Sequence, residues 1–359
     1  MSSKLQVRYL TEGEYGLWNN LVAASPEGSI YAMPEYLDVL CTEADAQFRI
    51  LVAERSGEIV GGLPLFERRN WCGSYVMGRL LLYYCGFILK PHPSKYPSER
   101  TSRSLEVVGA LEEALRRERY GRVELKSRHT FTDTRVLQER GWRVWPSYSY
   151  LVPLRDLDTC WSRIEQNLRR LINRCETQGV TFHDDDDFES FYRLHELTHQ
   201  RKGAALYLPR ENFRRYFQKL RRLDLARLFH ARTADGRVMS SQMVLLGAHP
   251  VCHTISAAAD PEFLKSGATA FLRWRSFQQI SQLGYEANDL TDAQLNSVTH
   301  FKSQFGGDLV LNLILRLPDR PLFQAQAFVL RAGSFAKRRV RNMITALRRL
   351  PQLAPQPQQ

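Results

Sequence analysis

The stretches RILVAERSGEIVGG (residues 49–62) and RLFHARTADGRVMSS (residues 227–241) decide how this chain is organised. Each is an apolar run, a polar turn and a second run, with Ser56-Gly57 in the first turn and Asp235-Gly236 in the second. That is the pattern of a β-hairpin. The copies stand about 180 residues apart, and the second carries one extra turn residue. The segments downstream of the two copies match as well. Residues 105–119 are helix-like and 121–125 strand-like, and 269–283 and 284–290 repeat that order. A helix over 132–140, stopped at Gly141, then precedes an extended run over 143–154. A helix over 293–305, stopped at Gly306-Gly307, likewise precedes an extended run over 308–317. Shared order and spacing mark an internal repeat. The chain reads as two copies of one α/β module, residues 1–154 and 155–320, with a helical tail over 321–359. Hairpins pair antiparallel and helical crossovers join parallel strands, so mixed sheets flanked by helices are expected.

The 359 residues suffice for two domains, and 43% hydrophobic residues suffice for their cores. Six cysteines show no CxxC and no zinc-ligand spacing, which excludes a disulfide scaffold and suggests reduced thiols. The longest apolar run, residues 80–89, falls short of the ~20 residues that a spanning helix needs. The start MSSKLQVRYL carries no apolar signal core. A cytoplasmic protein is expected, at most peripheral at the inner face of a membrane. Formal net charge is +12, and residues 331–359 supply seven Lys/Arg with no Asp or Glu. Phe335, Met343 and Leu347 can share one helical face there. Such a segment, over 333–350, suits an anionic membrane, an RNA or its own domain. The Pro/Gln-rich end is expected to be disordered.

Residues 161–178 place Trp161, Ile164, Leu168, Leu171 and Cys175 at amphipathic-helix spacing. Arg169, Arg170 and Arg174 form either a solvated face or contacts to a phosphate-bearing ligand. The acids Asp184 to Asp187 open a helix at Phe188, as caps do. His195 and His199 match H-E-x-x-H literally, but no third ligand accompanies them, and no metal is expected.

Lys265-Ser266-Gly267-Ala268-Thr269 opens a helix just after a strand. Small residues there leave backbone N–H groups for a pyrophosphate. Asp289 ends the next strand, where α/β sheets hold their ligands, and Lys302 lies on the helix beyond it. A carboxylate so placed can orient an attacking amine or take its proton. An ammonium can stabilise a developing oxyanion or a phosphate. The plainer alternatives are a helix cap and a surface charge.

The array LKSGAT (264–269), GYEAND (284–289) and FKSQFGG (301–307) resembles the FemAB-like branch of the GNAT acyltransferases. SIYAMPEY (29–36) is similar to that family's N-terminal segment, and GGLPL (61–65) to its first hairpin. Residues 161–180 are similar to its Arg-rich helix, and THQRKG (198–203) to the loop before its second module. The resemblance spans residues 7–317. It implies two tandem GNAT-like modules that form an amide bond by moving an acyl or aminoacyl group onto an amine. It puts catalytic Lys302 and Asp289 at the second module's groove, and the donor's pyrophosphate at Lys265, Ser266, Gly267, Ala268 and Thr269. It makes Tyr31, Tyr36, Arg169, Arg170, Arg174, Arg201, Lys202 and Phe301 substrate-binding. No tightly bound cofactor is implied; the donor is acyl-CoA, acyl carrier protein or aminoacyl-tRNA. The acceptor is an amine on a cell-envelope or polysaccharide precursor. Leu264 and Thr269 depart from the Q/R-x-x-G-x-G/A pattern, and no long heptad arm of the Fem type is visible. An acyl-CoA or carrier-protein donor is therefore the leading expectation. An aminoacyl-tRNA-dependent peptidoglycan aminoacyltransferase and a non-catalytic RNA- or membrane-binding protein are the alternatives.

Overall fold

The computed structural model describes residues 5–78 and 81–329. Its first module runs β1 (Gln6–Tyr9), α1 (Tyr15–Ala24), α2 (Pro34–Ala44), β2 (Gln47–Arg55), β3 (Glu58–Asn70), β4 (Gly73–Met77), β5 (Ile88–Leu89), α3 (Pro97–Arg117), β6 (Arg122–Ser127), α4 (Arg135–Glu139) and β7 (Arg143–Pro153). The second runs α5 (Leu157–Arg163), α6 (Gln166–Thr177), β8 (Thr181–Asp184), α7 (Phe188–Lys202), α8 (Arg210–Arg222), β9 (Ala226–Arg232), β10 (Val238–Leu245), β11 (Val251–Ala259), α9 (Ala268–Gln282), β12 (Ala287–Asp289), α10 (Ser297–Ser303) and β13 (Asp308–Leu317).

Both quoted stretches are hairpins, β2–β3 and β9–β10. Ser56 and Gly57 both have positive φ, 54° and 79°, the two-residue turn whose twist matches that of the strands. The second turn is wider and is closed by Thr233 N donating to Arg237 O at 3.0 Å.

The strands join one mixed sheet in the order β1-β2-β3-β4-β6-β13-β7-β12-β11-β10-β9-β8, with β5 on β3. The crossovers through α3 and α9 make β4–β6 and β11–β12 parallel. At the join each module lends its last strand to the other. β13 lies between β6 and β7, and β7 lies between β13 and β12. The β7–β13 ladder, from Asp308↔Leu151 to Arg316↔Arg143, fixes the register of the modules against each other.

Helices cover both faces of the sheet. α1, α2, α7 and α8 share one core that includes Trp18, Tyr36, Phe191 and Phe213. Two further cores lie under α3 and α4, and under α5, α6 and α9. Gly62 lets the Trp18 ring lie on β3. A Cβ there would stand 2.5 Å from Trp18 Cζ3 and 2.6 Å from Leu51 O. Trp18 Nε1 donates to Ala32 O at 2.7 Å, so its single polar atom is satisfied inside the core.

Several elements differ from their expected extents. The helix expected over 161–178 is two helices, because Ile164 is extended at ψ 134°. Glu165 N instead donates to Gln304 O at 3.0 Å, tying the break to the end of α10. α3 starts earlier, with Pro97 in its first turn, where the missing N–H costs nothing. β12 and α10 are shorter than expected and leave 290–296 as a loop. The edge strands β1 and β8 lie outside the repeat as read. Residues 321–329 are helical. The basic stretch 333–350 and the Pro/Gln end lie outside the described residues. No helix among the described residues is long and apolar enough to cross a membrane.

Candidate active site

β11 and β12 pair over only three rungs, from Val251↔Ala287 to His253↔Asp289. β11 then continues to Ala259 while β12 ends, so the two strands part. A cavity of about 640 Å³ opens in this fork, at the carboxyl end of parallel strands, where such sheets bind ligands. Residues 254–259 of β11 form one wall and Leu290, Thr291 and Asp292 another. Thr269 and Arg273 of α9, the end of α7, and Phe301 and Lys302 of α10 complete it.

The wall after β12 is a strained turn. Thr291 and Asp292 have φ of 45° and 40°, a region that side chains other than glycine enter at a cost. Three contacts hold it. Asp289 Oδ1 accepts from Thr291 N at 2.8 Å, and Thr291 Oγ1 donates to Thr254 O at 3.0 Å. Lys302 Nζ donates to the carbonyls of Thr291 and of Asp292, the latter at 2.7 Å.

The cavity wall is cationic. Arg201, Lys202, Arg273 and Lys302 line it with one carboxylate, Asp292, whose Oδ1 lies 3.9 Å from Lys126 Nζ. Arg273 is 3% exposed, and its Nε and Nη1 have no hydrogen-bond partner. Its guanidinium lies 5.6 Å from the Phe305 ring, and burial pushes its pKa down to about 10. A buried cation without a counter-ion is costly, and an anion in the cavity would relieve that cost. Burial and the Arg273 charge push Lys302 down to about 8. Lys202 is likewise lowered by burial.

Lys302, Phe301, Thr269, Arg201 and Lys202, all expected at the site, line this cavity. Asp289 does not. It is 1% exposed and sits behind the wall, where Tyr84 Oη donates to its Oδ2 at 2.7 Å. It holds the Thr291 turn rather than facing the reacting atoms. Lys265, Ser266, Gly267 and Ala268 form the tight entry to α9, off the wall. Arg174 donates to Ser266 O at 2.7 Å and to Lys265 O at 3.3 Å, so it clamps this loop. Gly267 is required there by φ 94° and by α6, since a Cβ would meet Leu171 Cβ at 2.9 Å. Arg169 and Arg170 are also off the wall. Tyr31 and Tyr36 are core residues with no exposed surface. Tyr36 Oη lies 2.9 Å from Tyr216 Oη, and the Tyr31 ring lies 4.9 Å from His253. Their burial comes from packing between modules, which a local motif does not carry.

Sequence reasoning missed Arg273, Asp292 and Tyr83, which all line the cavity. Arg273 had a signal, since it stands four residues after Thr269 and so shares its helix face. His195 and His199 also reach the cavity. His195 Nδ1 is 3.3 Å from Ser256 Oγ, and burial lowers its pKa to about 3, keeping it neutral. Among the described residues no group of three or more side chains is arranged to hold a metal. Asp187 caps α7 by accepting from Ser190 N at 3.0 Å. Asp185 and Asp186 pair with Arg232 and Arg221 at 2.9 and 2.7 Å.

Residues 162–303 match the family described as Acetyltransferase (GNAT) domain. A search of curated proteins found no match. The structure is similar to that of FemX, with TM-score 0.70 and 13% identity over 89% of this chain and 99% of that one. It is similar to the C-terminal domain of a putative lysylphosphatidylglycerol synthetase from Agrobacterium fabrum, with TM-score 0.56 and 13% identity over 85% and 92% of the two chains. It also resembles a tandem GNAT protein from the clavulanic acid biosynthesis pathway, with TM-score 0.53 and 12% identity over 88% and 98%.

Proposed function

From a FemAB-like tandem GNAT fold, we propose that this chain is an N-acyltransferase that joins an activated acyl group to an amine through the cavity of its second module. The observation that carries the reading is the β11–β12 fork, which holds a cationic cavity with the low-pKa Lys302 on its wall. The donor is an acyl thioester of CoA or of a carrier protein, whose phosphates suit Arg273, Arg201 and Lys202. The acceptor is an amine on a cell-envelope or polysaccharide precursor.

The chemistry needs little covalent help. The free amine attacks the carbonyl carbon and forms the C–N bond, the tetrahedral intermediate collapses with cleavage of the C–S bond, and the departing thiolate takes up the proton that the nitrogen loses. Holding both reactants in one cavity supplies much of the rate. The Lys302 ammonium, fixed by two carbonyls, stabilises the oxyanion. Asp292, the carboxylate on the wall, orients the incoming amine and relays the proton that its nitrogen loses to the departing thiolate. Asp289 is a positioning residue, acting through the Thr291 turn. All six cysteines are buried, and burial raises the thiol pKa of Cys85, Cys160, Cys175 and Cys252. An acyl-cysteine intermediate is therefore disfavoured.

Ligand-induced thermal stabilisation tests this. A ligand at 100 times its dissociation constant adds about 2.7 kcal/mol. Acyl-CoA is expected to raise the melting temperature of the wild type but not of Arg273→Met, each compared with its own ligand-free melt. A shift with charged tRNA alone, lost at high salt, would replace the thioester by an aminoacyl donor. No shift with either would remove CoA and tRNA as donors.

A further inference from the structure

Exposed apolar side chains of the β3–β4 turn and of the 321–329 helix come together at one place. Trp71, in the β3–β4 turn, is 77% exposed, and Leu322 is 60% exposed. The Cys72 thiol lies 3.8 Å from Leu322 O, so the two segments touch. Phe323 anchors the 321–329 helix by packing on Tyr75, ring centres 5.9 Å apart, and over Gly121. Leu322 and Val329, seven residues apart and so on one side of that helix, are left in solvent, and so is Phe328.

Arginines flank this patch along the chain, with Arg68 opposite Tyr75 in the β3–β4 ladder and Arg69 opposite Ser74 on the other face. Arg68 and Arg69 precede Trp71 on β3, and Arg320 N donates to Gly121 O at 2.9 Å. Arg119 stands two residues before Gly121. Among the described residues none of these four is in an ion pair. The neighbouring carboxylates are committed elsewhere: Glu67 and Glu118 to Arg49, each at 2.8 Å, and Asp319 to Arg122 and Arg316 at 2.8 and 2.7 Å. The sequence then continues from Arg331 with seven Lys/Arg and no acid.

We infer that this patch docks the protein on an anionic lipid bilayer. Exposed aromatic and aliphatic side chains framed by unpaired arginines match the headgroup layer, apolar below and phosphate above. A nucleic acid would satisfy the arginines and leave Leu322, Phe328 and Val329 in water. The inference does not depend on the acyltransferase reading.

The test is co-sedimentation of the full chain with vesicles of equal parts phosphatidylcholine and phosphatidylglycerol, and with phosphatidylcholine alone. Binding to the mixed vesicles only is expected. Trp71→Ser combined with Leu322→Ser is expected to weaken it about tenfold or more at an unchanged melting temperature. Arg68→Glu with Arg69→Glu is expected to weaken it further in low salt. Lys302→Ala should bind as the wild type does, which separates docking from catalysis. No sedimentation with mixed vesicles would overturn the proposal. So would binding unaffected by the Trp71/Leu322 pair, which would leave only the charged tail. Dissociation of a dimer by the same pair would show that a second copy covers the patch, and would also overturn it.

Discussion

The β4–β6 fork of the first module and the β11–β12 fork of the second start from the same three-rung parallel pairing, yet one is filled and the other open. In the first, the chain beyond β4 turns back into the gap. Cys85 N donates to Lys126 O at 3.0 Å, and a Cβ on Gly86 would stand 2.8 Å from Ser127 Cα. In the second, β11 runs on and the cavity remains. The buried charges on the two crossover helices differ in the same sense. Glu112 on α3 is fully buried and held by Arg116, by Arg140 at 2.7 Å and by Trp142 Nε1 at 2.8 Å. Arg273 on α9 is equally buried and lacks partners for two of its nitrogens. α4 turns Leu137 into the core, whereas α10 puts Lys302 on the cavity wall. The filled fork also supports the open one, since its Tyr83 lines the cavity and its Tyr84 holds Asp289. At these equivalent places one copy of the repeat closes its polar groups into structure, and the other leaves them facing a cavity.

The largest expected effect breaks the satisfied charge. Glu112→Ala leaves the buried Trp142 Nε1 without its acceptor and opens a void under α3, which together should cost about 3–5 kcal/mol. A fall in melting temperature and in urea midpoint reads this. Arg273→Met, by contrast, should leave the melting temperature unchanged or higher, because it removes a buried charge with no counter-ion. If Arg273→Met destabilised the protein as much as Glu112→Ala, the distinction between the modules would fail.

Lys302 sharpens the comparison next. Lys302→Ala should lower kcat about 10²–10³-fold, the usual cost of removing one oxyanion donor. With a pKa of about 8, the ammonium is lost as pH rises through that value, so activity should fall there. Lys302→Arg should keep much of the activity and lose this alkaline limb. A rate that rises through pH 8 would instead make the neutral amine the working form. Stability moves the other way. Above about 8 and below the ordinary lysine value, the unfolded chain holds a proton that the folded one does not. The folded protein should therefore gain stability as pH rises across that window, a gain that Lys302→Ala lacks.

The hairpins were legible because turn residues and apolar runs are local, and β13 falls on residues 308–317 as read. Lys302 was legible because it stands one short helix beyond a strand end. The strand exchange was not, since nothing in β7 or β13 distinguishes a partner in its own module from one in the other. The filling of the first fork was not, because an apolar run such as 81–89 has the same composition whether it forms a strand or fills a fork. β12 was read too long because Thr291 and Asp292 turn the chain with positive φ and no glycine marks the place. Asp289 was assigned to the reacting atoms because strand ends favour ligands; its burial is set by Tyr84, 205 residues away in sequence. Arg273 alone among the missed residues had a visible cue, its helical spacing from Thr269.

The smallest expected effect tests whether the filled fork supports the open one through a hydrogen bond or only through packing. Tyr84→Phe keeps the ring and removes the hydroxyl that donates to Asp289 Oδ2 at 2.7 Å. A bond to a carboxylate contributes about 1.5–3 kcal/mol, and part of that loss should appear as a lower melting temperature. If Asp289 positions the Thr291 turn, kcat should also fall several-fold with KM little changed, because the carbonyls that hold Lys302 belong to that turn. Asp289→Asn should do the same, and the double variant should cost less than the sum of the two, since both act on one bond. Loss of stability with kcat intact would make the bond a structural one that does not position Lys302, and no change in either would reduce Tyr84 to a space-filling role.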